Sequence, residues 1–207
     1  MTGVDRGLRE LADEFFKRFI AVVAEEILKR RPDSRESLEN NLSRLGWTLS
    51  GNSVIPIEIF DTSILPELPY ESQHDLTKAA QRLRDGDLSG TISSACGALD
   101  AATSAIYSSA GLGDPIKASF QERCKRSLEA KGVIPQMEQQ LRELGWNEQE
   151  IKTFRKNFEG AMNQGAYVIQ TLRSNMGDVH GTKPILKPLV FDCLKWAELM
   201  LRALKEV

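Results

Sequence analysis

The sequence predicts a mainly all-α protein: a helical bundle preceded by a small N-terminal α region that carries a short β-hairpin. Three observations predict it. Apolar residues recur at helical spacing over most of the chain, Gly and Pro fall between those stretches, and β-type residues cluster only near residue 50. A chain of 207 residues, 41% hydrophobic and 27% charged, can bury a core without a disulfide or metal staple.

Residues 8–31 read as an amphipathic helix. Leu8, Leu11, Phe15, Phe19, Val22 and Ile27 keep to one stripe, with Arg, Glu and Lys opposite. Pro32 stops it, and Asp33 or Ser34 can cap a second helix over 34–45 that breaks at Gly46. Trp47-Thr48-Leu49 and Val54-Ile55-Pro56-Ile57 then flank Ser50-Gly51-Asn52-Ser53, which predicts a hairpin whose Pro56 strand lies at an edge. Pro66 and Pro69 punctuate a linker. The division therefore falls near residue 70, between an N-terminal region (1–70) and a helical bundle (71–207).

Helices follow over 71–84, 88–109, 117–130 and 134–144. The second carries Ile92, Ala95, Cys96, Leu99, Ala102 and Ile106, and its Ala, Ser and Gly content permits close helix–helix approach. Asn147 caps a long helix striped by Ile151, Phe154, Phe158, Met162, Ala166, Ile169 and Leu172, which Gly177 ends. The last helix holds Leu189, Cys193, Ala197, Met200 and Leu204. Pro184 suits a first turn, whereas Pro188 requires a start close to it or a loose first turn. Leu-Gly-Trp occurs at 45–47 and 144–146, and both copies read as a left-handed Gly stop followed by an apolar contact rather than as a repeat array.

Several function classes are excluded at this level. No apolar run approaches 18 residues, so no transmembrane helix is expected, and the opening MTGVDRGLRELADEFF lacks a signal-peptide h-region. Cys96, Cys124 and Cys193 lie far apart, which predicts buried thiols rather than a disulfide framework or zinc site and fits a cytoplasmic protein. Nucleotide-loop, H-E-x-x-H and C-x-x-C motifs are lacking, so neither metal nor cofactor is expected. A net charge of −2 argues against nucleic-acid binding by bulk attraction, but not against a small basic site. Arg123, Lys125, Arg126 and Lys131 read as a solvated helix face, and His74 as a solvated residue at a helix start.

The other histidine, His180, lies in Leu172-Arg173-Ser174-Asn175-Met176-Gly177-Asp178-Val179-His180-Gly181. A long helix delivers Arg173 near its C-terminal end, where cations are favoured, and a Gly-bounded turn presents Asn175, Asp178 and His180. Arg and His suit metal-free RNA cleavage: His can move protons near neutral pH, and an Arg fork can hold phosphoryl oxygens. Lys183 and Lys187 follow closely enough to meet a phosphate backbone. A purely structural reading stands beside this one, in which Arg173 pairs with Asp178 and His180 caps the turn.

Arg-Asp-Gly-Asp-Leu at 84–88, Ala98-Leu99-Asp100, and the Arg173–Gly181 stretch with its closing helix together make residues 75–207 resemble the HEPN domain of abortive-infection proteins. Arg173, six residues and then His180 match the Arg–His spacing of HEPN ribonucleases. The resemblance implies that Arg173 and His180 are the catalytic pair. Family members commonly carry Asn or Asp just after the Arg; here Ser174 holds that place and Asn175 follows. Asp100 stands where a Glu is usual. The resemblance also implies a homodimer that joins two motifs into one composite site, with RNA as substrate and an antitoxin or regulatory protein as a further partner. The implied activity is metal-independent RNA cleavage in anti-phage defence or as a toxin component. The competing reading is a non-catalytic helical interaction module of the same fold.

Overall fold

The computed structural model describes residues 3–43, 45–56, 62–178 and 182–205; for residues 3–14 and for Thr62 it describes the backbone alone. Helices make up 79% of the protein and the only sheet among the described residues has two strands, so the mainly all-α expectation holds. The order is α1 (Gly3–Arg30), α2 (Arg35–Ser43), β1 (Trp47–Ser50), β2 (Ser53–Pro56), α3 (Tyr70–Arg84), α4 (Leu88–Ala110), α5 (Phe120–Ala130), α6 (Val133–Glu143), α7 (Glu148–Met176) and α8 (Lys187–Leu204). No described helix is long and apolar enough to cross a membrane.

Local chemistry explains the boundaries. Gly46 and Gly145 both adopt left-handed backbone, at φ +76° and +87°, so the two Leu-Gly-Trp copies share a stop signal. Their tryptophans then diverge: Trp47 is buried in β1, whereas Trp146 is partly exposed and meets the Phe154 ring edge-on. Asn147 closes a full capping box on α7, accepting from the Gln149 and Glu150 amides while the Glu150 carboxylate accepts from the Asn147 amide. α8 begins at Lys187 with Pro188 inside its first turn, where a missing N–H costs nothing. The hairpin pairs Trp47 with Pro56 and Ser50 with Ser53, in the register the Gly51-Asn52 turn dictates. Ile57 lies outside the described residues.

Two apolar clusters result. The larger is built on α4, which packs against α3, α5, α7 and α8. Its stripe from Ile92 to Ile106 is fully enclosed, and its small residues let neighbours close in, as the sequence implied. The smaller joins Ala21, Ala24 and Leu28 of α1 to Leu42, Trp47, Leu49 and Val54. All three cysteines are buried and free.

α1 differs from expectation in which face it packs. The buried side is the one with Ala21, Ala24 and Leu28, while Phe15, Phe19, Val22 and Ile27 of the predicted stripe face outward. Leu28 and the small Ala21 and Ala24 pack against Leu42 of α2 and Trp47, Leu49 and Val54 of the hairpin. The side chains of Leu8 and Leu11 lie outside the described residues.

An ion pair joins the two clusters. Val54 in β2 donates its N–H to Glu25 of α1 at 2.8 Å, and its carbonyl accepts from Arg84 of α3 at 2.7 Å. Arg84 and Glu25 themselves bond at 2.7 Å, and Asp85 takes a second pair of guanidinium donors. The exposed backbone of the strand edge is thereby satisfied by side chains from two helices. Arg84 is only 5% exposed, so its removal would strand the Glu25 carboxylate. Arg84→Ala is expected to cost about 3 kcal/mol of stability, read by urea denaturation. Amide exchange should rise first in residues 47–56.

Candidate functional site

Three helices bring charged side chains to one point. Asp100, midway along α4, receives Arg173 Nη1 from the end of α7 at 2.6 Å on one carboxylate oxygen. Its other oxygen receives Arg123 Nη2 from α5. Two guanidiniums share one carboxylate, so the cluster keeps a net charge of +1. Arg123 is largely enclosed and lies 5.8 Å from the Phe120 ring centroid, a cation–π contact. Its Nε is buried without a partner among the described residues. Arg173 is 41% exposed, which leaves part of its donor fork facing outward. Burial pulls the Arg173 pKa down, but the Asp100 hydrogen bond and charge outweigh burial and leave it above its ordinary value. The guanidinium is thus a fixed positive charge.

A second network stands beside the first. The turn after α7 is tied to α4, where Ser93 Oγ accepts from the Asp178 amide at 3.1 Å. The Asp178 carboxylate receives Arg82 of α3 at 3.2 Å, and Arg82 also lies 3.6 Å from Asp87, the residue that caps α4 through the Gly90 amide. Arg-Asp-Gly-Asp-Leu at 84–88 therefore carries structural duties: Arg84 and Asp85 hold the hairpin, Gly86 makes the turn at φ +78°, and Asp87 starts α4. Gly177 passes so close to Ser93 that an added Cβ would lie 3.0 Å from its hydroxyl and 2.5 Å from the Arg173 carbonyl. The Lys183 amide donates to the Asn175 carbonyl at 3.0 Å, which closes the loop between α7 and α8 at its base.

The residues singled out in the sequence separate accordingly. Arg173 and Asp100 meet. Asp178 does not pair with Arg173 as the structural alternative supposed; it pairs with Arg82, because Ser93 and Arg82 draw the turn toward the α3–α4 corner. Its charge still acts on Arg173 through space. Asn175 spends its amide on the Thr171 carbonyl at 2.8 Å, and Ser174 is exposed. Lys183 and Lys187 are exposed, Lys187 as the first residue of α8. His180 lies outside the described residues, as do Val179 and Gly181. His74 is exposed and stacks on Tyr70.

Arg123, Arg82 and Ser93 were not among the expected site residues. Arg123 had been grouped with a solvated basic face; Lys125 and Arg126 do lie beside Glu129 and Glu122 on that face, but Arg123 turns inward. The signal was its spacing, since Phe120, Cys124 and Ser127 form the buried side of α5 and Arg123 falls on that side. Cys96, one turn before Asp100, is held well above the ordinary thiol range, first by its hydrogen bond with Cys193 and then by burial. Burial, above all, takes Cys124 up to about 12, against the opposing charge of Arg123 and with that of Asp100. Neither thiol supplies a thiolate near neutral pH. Among the described residues no three His, Cys, Asp or Glu side chains converge on a common point. Comparison with protein-family models, characterised proteins and solved structures yields no match.

Two outcomes follow from these charges. Asp100→Asn leaves two guanidiniums facing each other with no anion between them, and should cost about 3 kcal/mol in chemical denaturation, with Arg173→Ala in the same background partly restoring stability. The Asp178 carboxyl is held below its ordinary 3.8 by its Ser93 hydrogen bond and by Arg82. Its contribution is therefore present above pH 3.8 and lost as pH falls through the lower folded value. Asp178→Asn should be less stable than the parent at pH 7, with the difference shrinking below pH 4 in parallel urea titrations.

Proposed function

We propose that the protein is a metal-independent endoribonuclease of the HEPN type, acting in anti-phage defence or as a toxin component. The observation that carries this reading is the Arg173 fork, half-exposed at the end of α7, anchored by Asp100 and adjoined by a second guanidinium from Arg123. A cluster of residual charge +1 beside a polar loop is suited to a phosphodiester. In the sequence His180 follows Arg173 by seven residues and falls between Asn175 and Lys183, whose backbone groups bond to each other.

The chemistry assigns a role to each group. The ribose 2′-OH attacks the adjacent phosphorus as a base removes its proton. The bond to the 5′-oxygen breaks as an acid protonates the leaving group, which gives a 2′,3′-cyclic phosphate and a 5′-hydroxyl. Histidine can serve as either base or acid. One chain offers a single suitable histidine, so two protomers related by a two-fold axis supply both roles. Arg173 stabilises the charge that grows on the non-bridging oxygens. Asp100 positions Arg173, Asp178 positions the loop through Ser93, and Lys183 and Lys187 track the flanking backbone. The partners of this reading are RNA, a second copy of the chain and an antitoxin or regulatory protein, in the cytoplasm.

A second reading, a non-catalytic helical interaction module, is favoured by the engagement of Arg173 with Asp100 and of Asp178 with Arg82. The two separate on one assay. Purified protein incubated with RNA in EDTA should cleave it. Arg173→Ala should lose roughly 100- to 1,000-fold in rate, and His180→Ala roughly 100- to 10,000-fold. Arg173→Lys should not restore the rate, because a point charge cannot replace a bidentate fork. Parent-like rates in both alanine variants, or no cleavage by the parent, would favour the module.

A further inference from the structure

The described side chains of α1 start at Phe15. From residue 15 to residue 19 every side chain is exposed, so this stretch stands clear of the protein on all sides. Further on, Ala21, Ala24 and Leu28 face the hairpin and α2. The apolar stripe points the other way, with Phe15 75%, Phe16 62%, Phe19 57% and Val22 51% exposed. Scattered exposed apolar residues need no explanation, but a contiguous phenylalanine-rich face does. A helical stretch without tertiary contacts is marginal in water, so cover for residues 15–19 would also stabilise the helix itself.

The charge pattern says what covers it. The first half of α1 holds four acids (Asp5, Glu10, Asp13, Glu14) against Arg6 and Arg9, a net −2. The second half holds four bases (Lys17, Arg18, Lys29, Arg30) against Glu25 and Glu26, a net +2. A parallel pair of such helices sets like charge against like; an antiparallel pair sets −2 against +2 at both ends. From this complementarity we infer that α1 pairs with α1 of a second copy of the chain, antiparallel and stripe to stripe, crossing near Lys17. The three phenylalanines alone offer roughly 400 Å² per copy, about half of the ~800 Å² that a standard interface buries on each partner. Val22, Val23 and Ile27 extend the same face. The pairing requires nothing of the Arg173 site and stands whether or not the protein cleaves RNA.

Light scattering on the full chain over a concentration series tests it. The parent should form a dimer or a larger assembly, and Phe15→Glu combined with Phe19→Glu should lower its mass while the bundle stays folded, since both positions are exposed and bury nothing in one chain. A parent that stays monomeric, or an assembly whose mass both substitutions leave unchanged, overturns the inference. Orientation is read by disulfide trapping under mild oxidation, which the three buried native thiols do not disturb. Phe16→Cys, on the exposed face and near the crossing point, should link two chains. Lys29→Cys should not, because its two copies would stand roughly 35 Å apart at 1.5 Å per residue. Linkage at both positions contradicts the antiparallel arrangement. Co-sedimentation of a monomeric parent with phosphatidylglycerol vesicles, abolished by the phenylalanine substitutions, would assign the stripe to a lipid surface and overturn the inference as well.

Discussion

One carboxylate organises the centre of this bundle. The rest of the buried face of α4 carries no charge: Ala, Ser, Thr and Cys alternate with Ile92, Leu99, Ile106 and Tyr107, and its neighbours close in on the small residues. Asp100 is where charge enters that packing, and it serves α5 and α7 at once through Arg123 and Arg173. Taking one carboxylate and two guanidiniums partly out of water is tolerable only because each charge faces its opposite. The arrangement also leaves an excess: two positive charges are balanced by one negative, and the less buried of the two arginines looks outward. A structural tie and a candidate anion site are here the same three side chains.

The surroundings of that cluster are held by similar means. Ser93 and Arg82 fix the turn after α7, Gly177 lets it lie against α4 without a Cβ in the way, and the Lys183 amide closes the loop on Asn175. From the same last turn of α3, Arg84 together with Glu25 satisfies the edge of β2 and fastens the N-terminal region to the bundle. Both fastenings are ionic, and both depend on a carboxylate that serves more than one partner.

Much of this was legible in the sequence, for identifiable reasons. Gly46, Gly145, Asn147 and Pro188 mark helix ends through local backbone chemistry, which needs no knowledge of the fold, and each marks one here. The Gly51-Asn52 turn fixed the hairpin register in the same way. Periodicity found the buried faces of α4, α7 and α8. It misread α1, because periodicity identifies an apolar stripe but not what the stripe packs against. The stripe with Phe15 and Phe19 points outward, while Ala21, Ala24 and Leu28 meet the hairpin and α2. Within the site, Arg173 and Asp100 were selected by a resemblance and do meet. Arg123 was missed because it was grouped by charge rather than by its place on the buried side of α5. Arg82 and Ser93 act across long sequence separations, which no local rule reveals.

The central claim is that the charge cluster around Asp100 serves a phosphodiester whose neighbouring 2′-hydroxyl is the nucleophile. Its most direct test uses a short RNA cleaved by the purified protein in EDTA, with a single 2′-deoxy substitution then placed at the mapped cleavage position. The account predicts a 2′,3′-cyclic phosphate at the new end of the unsubstituted RNA and no cut at the substituted linkage. Cleavage that continues at the 2′-deoxy position, or that leaves a 5′-phosphate, would contradict it.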